Sequence, residues 1–223
     1  MSRLSCAAAV AFVVVACSSS PPDFVDPDVP GRDENPDGVP YPTDHLGRNE
    51  RAGRRPGDRI PNFTFQAYID GDRAGGLKTV SLADYYDPDQ KRHKVLHLQV
   101  AATWCAYCSA EVTATVKVKD ELGAEGAVFL EVIVAGPAVL KGPALEEVDD
   151  WIERHKTNFT VGIDVRARRL ASMGVDGTVM PWDMLIDTRT MEILDSSGGA
   201  PADVVAYVRE GLKFANSQPA ARY

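Results

Sequence analysis

Two cysteines separated by two residues are the most reactive feature of the sequence: Cys105 and Cys108 lie in the stretch TWCAYC. From spacing alone, the pair could form a redox-active disulfide, supply half of a zinc site or remain as two buried thiols. Zinc is disfavoured because the chain has no second CxxC pair to complete four ligands. A purely structural disulfide would close a very short loop, which constrains the unfolded chain little. The spacing therefore favours a disulfide that opens and closes, and the structural alternative stays open.

The position of the pair at a predicted strand–helix junction suggests different roles for the two thiols. The preceding stretch KVLHLQVA is almost continuously apolar, which is typical of a strand buried on both faces. A helix is predicted to begin at the cysteines, so Cys105 lies at its N-terminus, where unpaired N–H groups and the helix dipole favour a thiolate. Cys108 follows one turn later on the same helix face. These positions predict Cys105 as the attacking nucleophile and Cys108 as the resolving thiol.

Strands and helices alternate on both sides of this junction. Strands are predicted at 63–69, 79–82, 94–101, 128–134, 159–163, 182–186 and 191–194, and helices at 105–122, 145–156, 166–173 and 202–215. The last two strands are predicted to pair as a hairpin across 187–190. This order indicates an α/β fold with a central mixed β-sheet flanked by helices and an N-terminal β-hairpin extension, over residues 59–216.

The first 16 residues have the pattern of an export signal. Arg3 precedes the apolar run 7–16, which is too short to span a bilayer. The run ends in Val14-Val15-Ala16-Cys17, which resembles the bacterial lipobox, where the signal is cleaved before the cysteine and the cysteine is lipidated. The resemblance implies a lipid anchor at Cys17 in the bacterial cell envelope, facing the periplasm. Ser18 after the cysteine, where Asp would hold a lipoprotein at the inner membrane, favours the outer membrane.

Residues 17–58 are rich in Pro, Asp and Arg and lack apolar periodicity, so a disordered tether is predicted between the anchor and the domain, with a C-terminal tail at 217–223. The formal net charge of −8 argues against a nucleic-acid partner. Cys6 would be removed with the signal and Cys17 consumed by lipid, which leaves Cys105 and Cys108 in an oxidising compartment. Neither a cofactor nor a metal is expected.

The motifs together resemble the thioredoxin superfamily, and within it the TlpA/ResA-like, redoxin (AhpC/TSA-type) branch of bacterial lipoproteins, over about 57–214. Trp104 and Cys105 open a WCxxCxxE pattern that ends at Glu111. Pro61-Asn62-Phe63 resembles the P-x-F start of that domain, and the segment from Met180 to Asp187 resembles its cis-proline strand. The resemblance implies a thiol–disulfide oxidoreductase acting on periplasmic thiol- or disulfide-bearing proteins, more as a reductant than an oxidant. It also implies that Pro181 is cis and shapes the substrate groove, and that Trp104, Tyr107 and Met180 contact the substrate.

The chain departs from the thioredoxin pattern at several positions. Gln99 occupies the place of the buried Asp that helps to deprotonate the second cysteine, and an amide cannot act as a base. Glu111 is the nearest acid in sequence, and it is either a proton acceptor for the pair or a solvated helix residue. The loop before Pro181 is longer than usual, and Ala106-Tyr107 has neither the Pro of typical reductants nor the His of strong oxidants.

Two further functions stay open as alternatives. A peroxiredoxin-like thiol peroxidase would need a Thr three residues before its reactive cysteine, but Thr103 precedes Cys105 by two. A Sco-like copper-binding assembly protein would need a CxxxC pair and a downstream histidine ligand. Here the pair is CxxC, and no histidine follows His155.

Overall fold

The buried strand before the cysteines lies near the middle of a seven-stranded mixed sheet in the computed structural model, which describes residues 21–43 and 54–217. The strands are β1 (Thr64–Tyr68), β2 (Lys78–Ser81), β3 (Val95–Ala102), β4 (Ala127–Ala135), β5 (Thr160–Ile163), β6 (Trp182–Asp187) and β7 (Glu192–Gly198). Their order across the sheet is β2-β1-β5-β4-β3-β6-β7. The helices are α1 (Ala106–Glu125), α2 (Leu145–His155) and α3 (Val204–Ser217). The predicted mixed sheet with flanking helices and an N-terminal hairpin is confirmed.

The apolar run of β3 explains its position inside the sheet. All of its residues are buried, with parallel β4 on one side and antiparallel β6 on the other. Its neighbours on the outer side are β6 and β7, which form the predicted hairpin. The N-terminal β1–β2 hairpin joins the opposite edge through an antiparallel pairing of β1 with β5.

The three helices pack on one face of the sheet. In-register neighbours share a face, so Glu131 on β4, Gln99 on β3 and Asp183 on β6 point the same way. Trp151 of α2 reaches this face at Glu131 and Tyr207 of α3 reaches it at His97. Polar groups on this face are therefore enclosed between the sheet and the helices.

The prediction of a short helix at 166–173 is wrong, because the segment does not form one continuous helix. Two separate 3₁₀ turns, Val165–Ala167 and Leu170–Met173, occupy the segment. Arg166 and Ala167 have φ values of 59° and 53°, which an α-helix does not accommodate. Buried Asp164 accepts hydrogen bonds from the backbone N–H groups of Arg169 and Leu170, which stabilises this irregular path.

Residues 21–43, here called the N-terminal strap, lie against the domain. The Phe24 N–H donates to the Pro143 carbonyl over 2.7 Å, and Tyr41 Oη donates to the Ile60 carbonyl over 2.6 Å. Asp23 pairs with Arg166 at 2.6 Å, and Asp26 pairs with Arg169. The sequence predicted a disordered tether through this stretch; the strap differs because its aromatic and acidic groups have partners far along the chain, which local composition does not reveal.

Several predictions fall on residues outside those described: the signal at 1–16, the lipidation site Cys17, the part of the tether at 44–53 and the tail from 218 onward. Within 21–43 and 54–217, no helix is long and apolar enough to cross a membrane.

Candidate active site

Cys105 and Cys108 are joined by a disulfide at the N-terminus of α1, with their Cα atoms 5.3 Å apart. Cys105 is the N-cap residue, and its sulfur accepts a hydrogen bond from the Cys108 N–H at 3.0 Å. Both cysteines are buried, Cys108 more completely than Cys105. The predicted strand–helix junction is present, so a thiolate on Cys105 would face the N–H groups of the first turn.

The other predicted contact residues differ in exposure. Tyr107 is 73% exposed, whereas Trp104 is half-buried against the core. The Met180–Pro181 peptide bond is cis, as predicted. Trp182 pairs with Val100 in the β3–β6 register, so Pro181 lies beside the end of β3 that leads to the cysteines. Met180 is a buried residue, with 8% of its surface exposed.

Glu111 is buried, so its alternative role as a solvated helix residue is wrong. It follows Cys108 by three residues on α1, which places the two on one helix face. Its carboxyl group meets His97 of β3 and Asp183 of β6. His97 Nε2 lies 2.9 Å from Asp183 Oδ1 and 3.7 Å from Glu111 Oε1. We call these three side chains the buried triad.

Enclosure of the triad changes the ionisation of its members. Burial, reinforced by the charge of Asp183, raises the pKa of Glu111 to about 9. Burial raises the pKa of Asp183 to about 7 and lowers the pKa of His97. At neutral pH Glu111 is therefore protonated and His97 is neutral. Once Asp183 is ionised its carboxylate can only accept, so the neutral His97 ring then donates from Nε2 to Asp183.

Glu131 on β4 is a fourth buried ionisable group on the same face. Both of its carboxylate oxygens accept from Trp151 Nε1 at 3.1 Å. Burial raises the pKa of Glu131 to about 8. The site is thus rich in carboxyl groups, which interact with one another through a medium of low polarity.

The triad is also the group of side chains in the described ranges that could hold a metal ion. One ligand atom from each of His97, Glu111 and Asp183 lies within 4.8 Å of the others. One nitrogen and two carboxylate oxygens would suit a divalent cation. No metal was expected from the sequence.

His155 has partners other than the cysteines. Its Nε2 lies 3.2 Å from Ser109 Oγ and its Nδ1 lies 3.1 Å from Thr113 Oγ1, both on α1. Its ring also packs at 4.4 Å on Trp151. Both ring nitrogens are thus occupied, so the copper-binding alternative gains no support from the position of His155.

A cavity of about 620 Å³ opens between α1 and the loop that leads into α3. Its α1 side includes Tyr107, Glu111 and Lys117, and its other side is the segment 200–205. The cavity wall is mostly apolar, and although Glu111 lines it, both carboxyl oxygens of Glu111 are buried.

Sequence reasoning missed Asp183 and Glu131 as members of the site. Each is a charged residue inside an otherwise apolar strand, Glu131 in AVFLEVIVA and Asp183 in WDMLID. A charge in a strand buried on both faces needs a partner, and that signal was available before the structure.

The comparisons with known proteins agree with this geometry. A model of the AhpC/TSA family matches residues 56–198. A search of curated proteins found no significant match. Among solved structures, the exposed lipoprotein thioredoxin of Streptococcus pneumoniae is 22% identical with a TM-score of 0.50, covering 67% of this chain and 99% of its own.

Two other structures share the fold at similar distance. Mycobacterium tuberculosis AhpC is 19% identical with a TM-score of 0.55, covering 74% of this chain and 95% of its own. The thioredoxin domain of a thiol-disulfide oxidoreductase from Bacteroides vulgatus is 16% identical with a TM-score of 0.52, covering 70% of this chain and 97% of its own. The chain belongs to the AhpC/TSA family of thioredoxin-like redoxins, and its reactive centre is the Cys105–Cys108 pair.

Proposed function

We propose that this protein exchanges disulfides with protein partners in the bacterial cell envelope, acting more as a reductant than an oxidant. The observation that carries the proposal is the disulfide at the N-terminus of α1, with Cys105 as the N-cap and the cis-proline strand beside it. This arrangement gives one sulfur an activated position and leaves the other buried behind it.

In the reductive direction, the Cys105 thiolate attacks one sulfur of a partner disulfide and forms a mixed disulfide, while the partner's other sulfur leaves as a thiolate. Cys108 then loses its proton and attacks Cys105, which closes the Cys105–Cys108 disulfide and releases the reduced partner. Two electrons pass to the partner and its two sulfurs take up two protons. The reverse steps oxidise a partner.

Glu111 is the group proposed to exchange a proton with Cys108. It is buried one turn from that cysteine, and its pKa of about 9 is close to the unperturbed thiol value of about 8.5. A donor and acceptor of similar pKa pass a proton in either direction at little cost. Gln99, in the thioredoxin Asp position, cannot take this role.

The lipid anchor at Cys17 remains part of the proposal, with the outer membrane favoured over the inner. The support is the lipobox-like sequence after the apolar run. Partners would be periplasmic proteins that carry thiols or disulfides. Globomycin-sensitive processing and loss of membrane association in Cys17→Ser would test the anchor; unchanged membrane association would contradict it.

The redox proposal is tested by paired cysteine variants. Cys108→Ser should trap mixed disulfides with partners in cells, because the resolving thiol is missing, whereas Cys105→Ser should trap none. Purified Cys105→Ser should also lose reduction of insulin disulfides. Wild-type insulin reduction by Cys105→Ser would refute the assignment.

The reduction potential decides the direction. A value near about −270 mV is typical of thioredoxin and would support a reductant, whereas one near about −120 mV is typical of DsbA and would indicate an oxidant. Rapid peroxide consumption by the purified protein without a thiol partner would instead favour the peroxidase alternative.

A further inference from the structure

We propose that the buried triad of His97, Glu111 and Asp183 is a binding site for one Zn²⁺ ion. The inference goes beyond the proposed disulfide exchange and does not depend on it, because the ligands come from β3, α1 and β6 and include neither cysteine.

The first support is the spacing of the three ligand atoms. One nitrogen and two carboxylate oxygens, one from each residue, lie within 4.8 Å of one another. His97 Nε2 is 2.9 Å from Asp183 Oδ1 and 3.7 Å from Glu111 Oε1. A tetrahedral zinc ion with bonds of about 2.0–2.1 Å separates its ligand atoms by about 3.3 Å, which falls between these two distances. Small side-chain adjustments would therefore bring the three ligand atoms around one ion.

The second support is a set of buried oxygens that lack donors. Both carboxyl oxygens of Glu111 and Oδ2 of Asp183 are buried, and no described residue donates a hydrogen bond to them. The two side chains are 2% and 1% exposed, so both are shielded from solvent. Buried carboxyl oxygens without partners are unfavourable, and a bound cation would satisfy them.

The third support is the charge balance of the enclosed space. Among residues 21–43 and 54–217, the ion-pair partner of both Glu111 and Asp183 is His97. Burial disfavours the charged form of that ring and lowers its pKa, and a neutral imidazole is the form that binds a metal. Glu131 of β4 adds another acid on the same face of the sheet. A divalent cation would compensate the two carboxylates of the triad, which no side chain of the described ranges does.

The strands hold two of the ligands in place before any ion binds. His97 and Asp183 lie on the neighbouring strands β3 and β6, and the His97 ring packs edge-on against Phe129 at 5.9 Å and Tyr207 at 5.7 Å. Ligands that are already ordered lose little freedom on binding. The donor set selects the metal, because imidazole suits zinc whereas Mg²⁺ prefers oxygen ligands in octahedral geometry.

An ion would reach the triad from the cavity between α1 and the loop that leads into α3. Glu111 lines that cavity while its carboxyl oxygens are buried, so entry requires this side chain to move and binding should be slow. Zinc would displace the proton that Glu111 otherwise carries at neutral pH, so the Glu111 pKa of about 9 describes the metal-free protein.

The test is equilibrium dialysis of the purified, untagged, oxidised protein against Zn²⁺ alone, after bound metal has been removed with EDTA. Free thiols are alkylated beforehand and Cys105 and Cys108 are joined, so sulfur ligands are kept out of the measurement. Metal content measured by mass spectrometry should saturate at one zinc ion per chain, and Mg²⁺ at the same concentration should not bind stoichiometrically. Zinc uptake that does not saturate at one ion per chain would overturn the proposal.

Three ligand variants and one matched control locate the ion. His97→Gln, Glu111→Gln and Asp183→Asn should each weaken zinc binding by at least about tenfold, because each removes a ligand or its charge. Glu131→Gln changes another buried acid on the same face and should keep one zinc ion per chain. Unchanged binding in the three ligand variants, or an equal loss in Glu131→Gln, would overturn the assignment to the triad.

A measurement on the wild type alone covers the case in which a ligand variant fails to fold. Zinc X-ray absorption of the loaded oxidised protein should show nitrogen and oxygen neighbours at about 2.0–2.2 Å, one imidazole, and no sulfur at about 2.3 Å. Several imidazoles or a sulfur neighbour would place the ion elsewhere and overturn the proposal. Insulin reduction is measured separately, so a failure of disulfide exchange would leave the zinc result unaffected.

Discussion

Replacing Glu111 by glutamine should change how the stability of the oxidised protein depends on pH. The folded protein holds the Glu111 proton up to about pH 9, whereas the unfolded chain releases it near 4.5. Between these values the unfolded state binds fewer protons than the folded state, so the contribution of Glu111 to stability falls as pH rises. Glutamine has no such proton to lose.

The magnitude follows from the width of that window. Each pH unit between the two pKa values costs the wild type at most about 1.4 kcal/mol. From pH 5 to pH 8 the free energy of unfolding of the wild type can fall by at most roughly 4 kcal/mol. Coupling to Asp183 and Glu131 reduces this fall, so the wild type should lose about 2 kcal/mol relative to Glu111→Gln. Because the comparison is between two pH values, any pH-independent packing cost of the glutamine cancels.

Urea unfolding at pH 5 and pH 8, followed by circular dichroism, measures this difference in the free energy of unfolding. Glu210→Gln on the exposed side of α3 is the matched control and should run parallel to the wild type. If Glu111→Gln also ran parallel to the wild type, Glu111 would ionise alike in both states and the reasoning from its burial would be refuted.

Three further changes test other parts of the structure. Gly71→Ala should destabilise the fold by about 2–4 kcal/mol in urea unfolding, because Gly71 has φ +69° and a Cβ there would lie 2.0 Å from the Thr157 carbonyl oxygen; a loss below about 0.5 kcal/mol would contradict this contact. Tyr41→Phe removes the hydrogen bond to the Ile60 carbonyl and should cost about 1 kcal/mol, with faster proteolysis of the strap; equal cleavage rates would argue against a docked strap. Asp164→Asn weakens the acceptor of two backbone N–H groups and should cost about 1–3 kcal/mol, measured as a lower Tm; an unchanged Tm would show that the 3₁₀ turns do not depend on it.

The sheet and the position of the cysteines follow from local patterns in the sequence. The apolar run of β3 and the CxxC pair at its end are short-range signals, and the structure places them as those signals predict. The hairpin of β6 and β7 is similarly local. The cis bond before Pro181 was expected from family resemblance rather than from physics, and it is present.

The polar interior of the site could not be predicted from sequence. Glu111 sits on a helix whose buried face mixes polar and apolar residues (Cys108, Glu111, Val112 and Thr115), so hydrophobic periodicity does not reveal its burial, which is set by β3 and β6 beneath it. His97 and Asp183 are 86 residues apart and meet only because β3 and β6 are neighbours. Long-range pairing of this kind depends on the order of the strands, which composition and periodicity do not encode.

The strap has a consequence for how far the protein can reach. If Cys17 carries the lipid, it lies six positions before Asp23, which is already paired with Arg166. Even fully extended, that distance is at most about 21 Å, so the domain would stay close to the bilayer with the side near Arg166 turned toward it. Partners would then be found by lateral diffusion along the membrane rather than across the periplasm. Lengthening the chain between Cys17 and Asp23 should widen the set of partners trapped by Cys108→Ser, and an unchanged set would rule this restriction out.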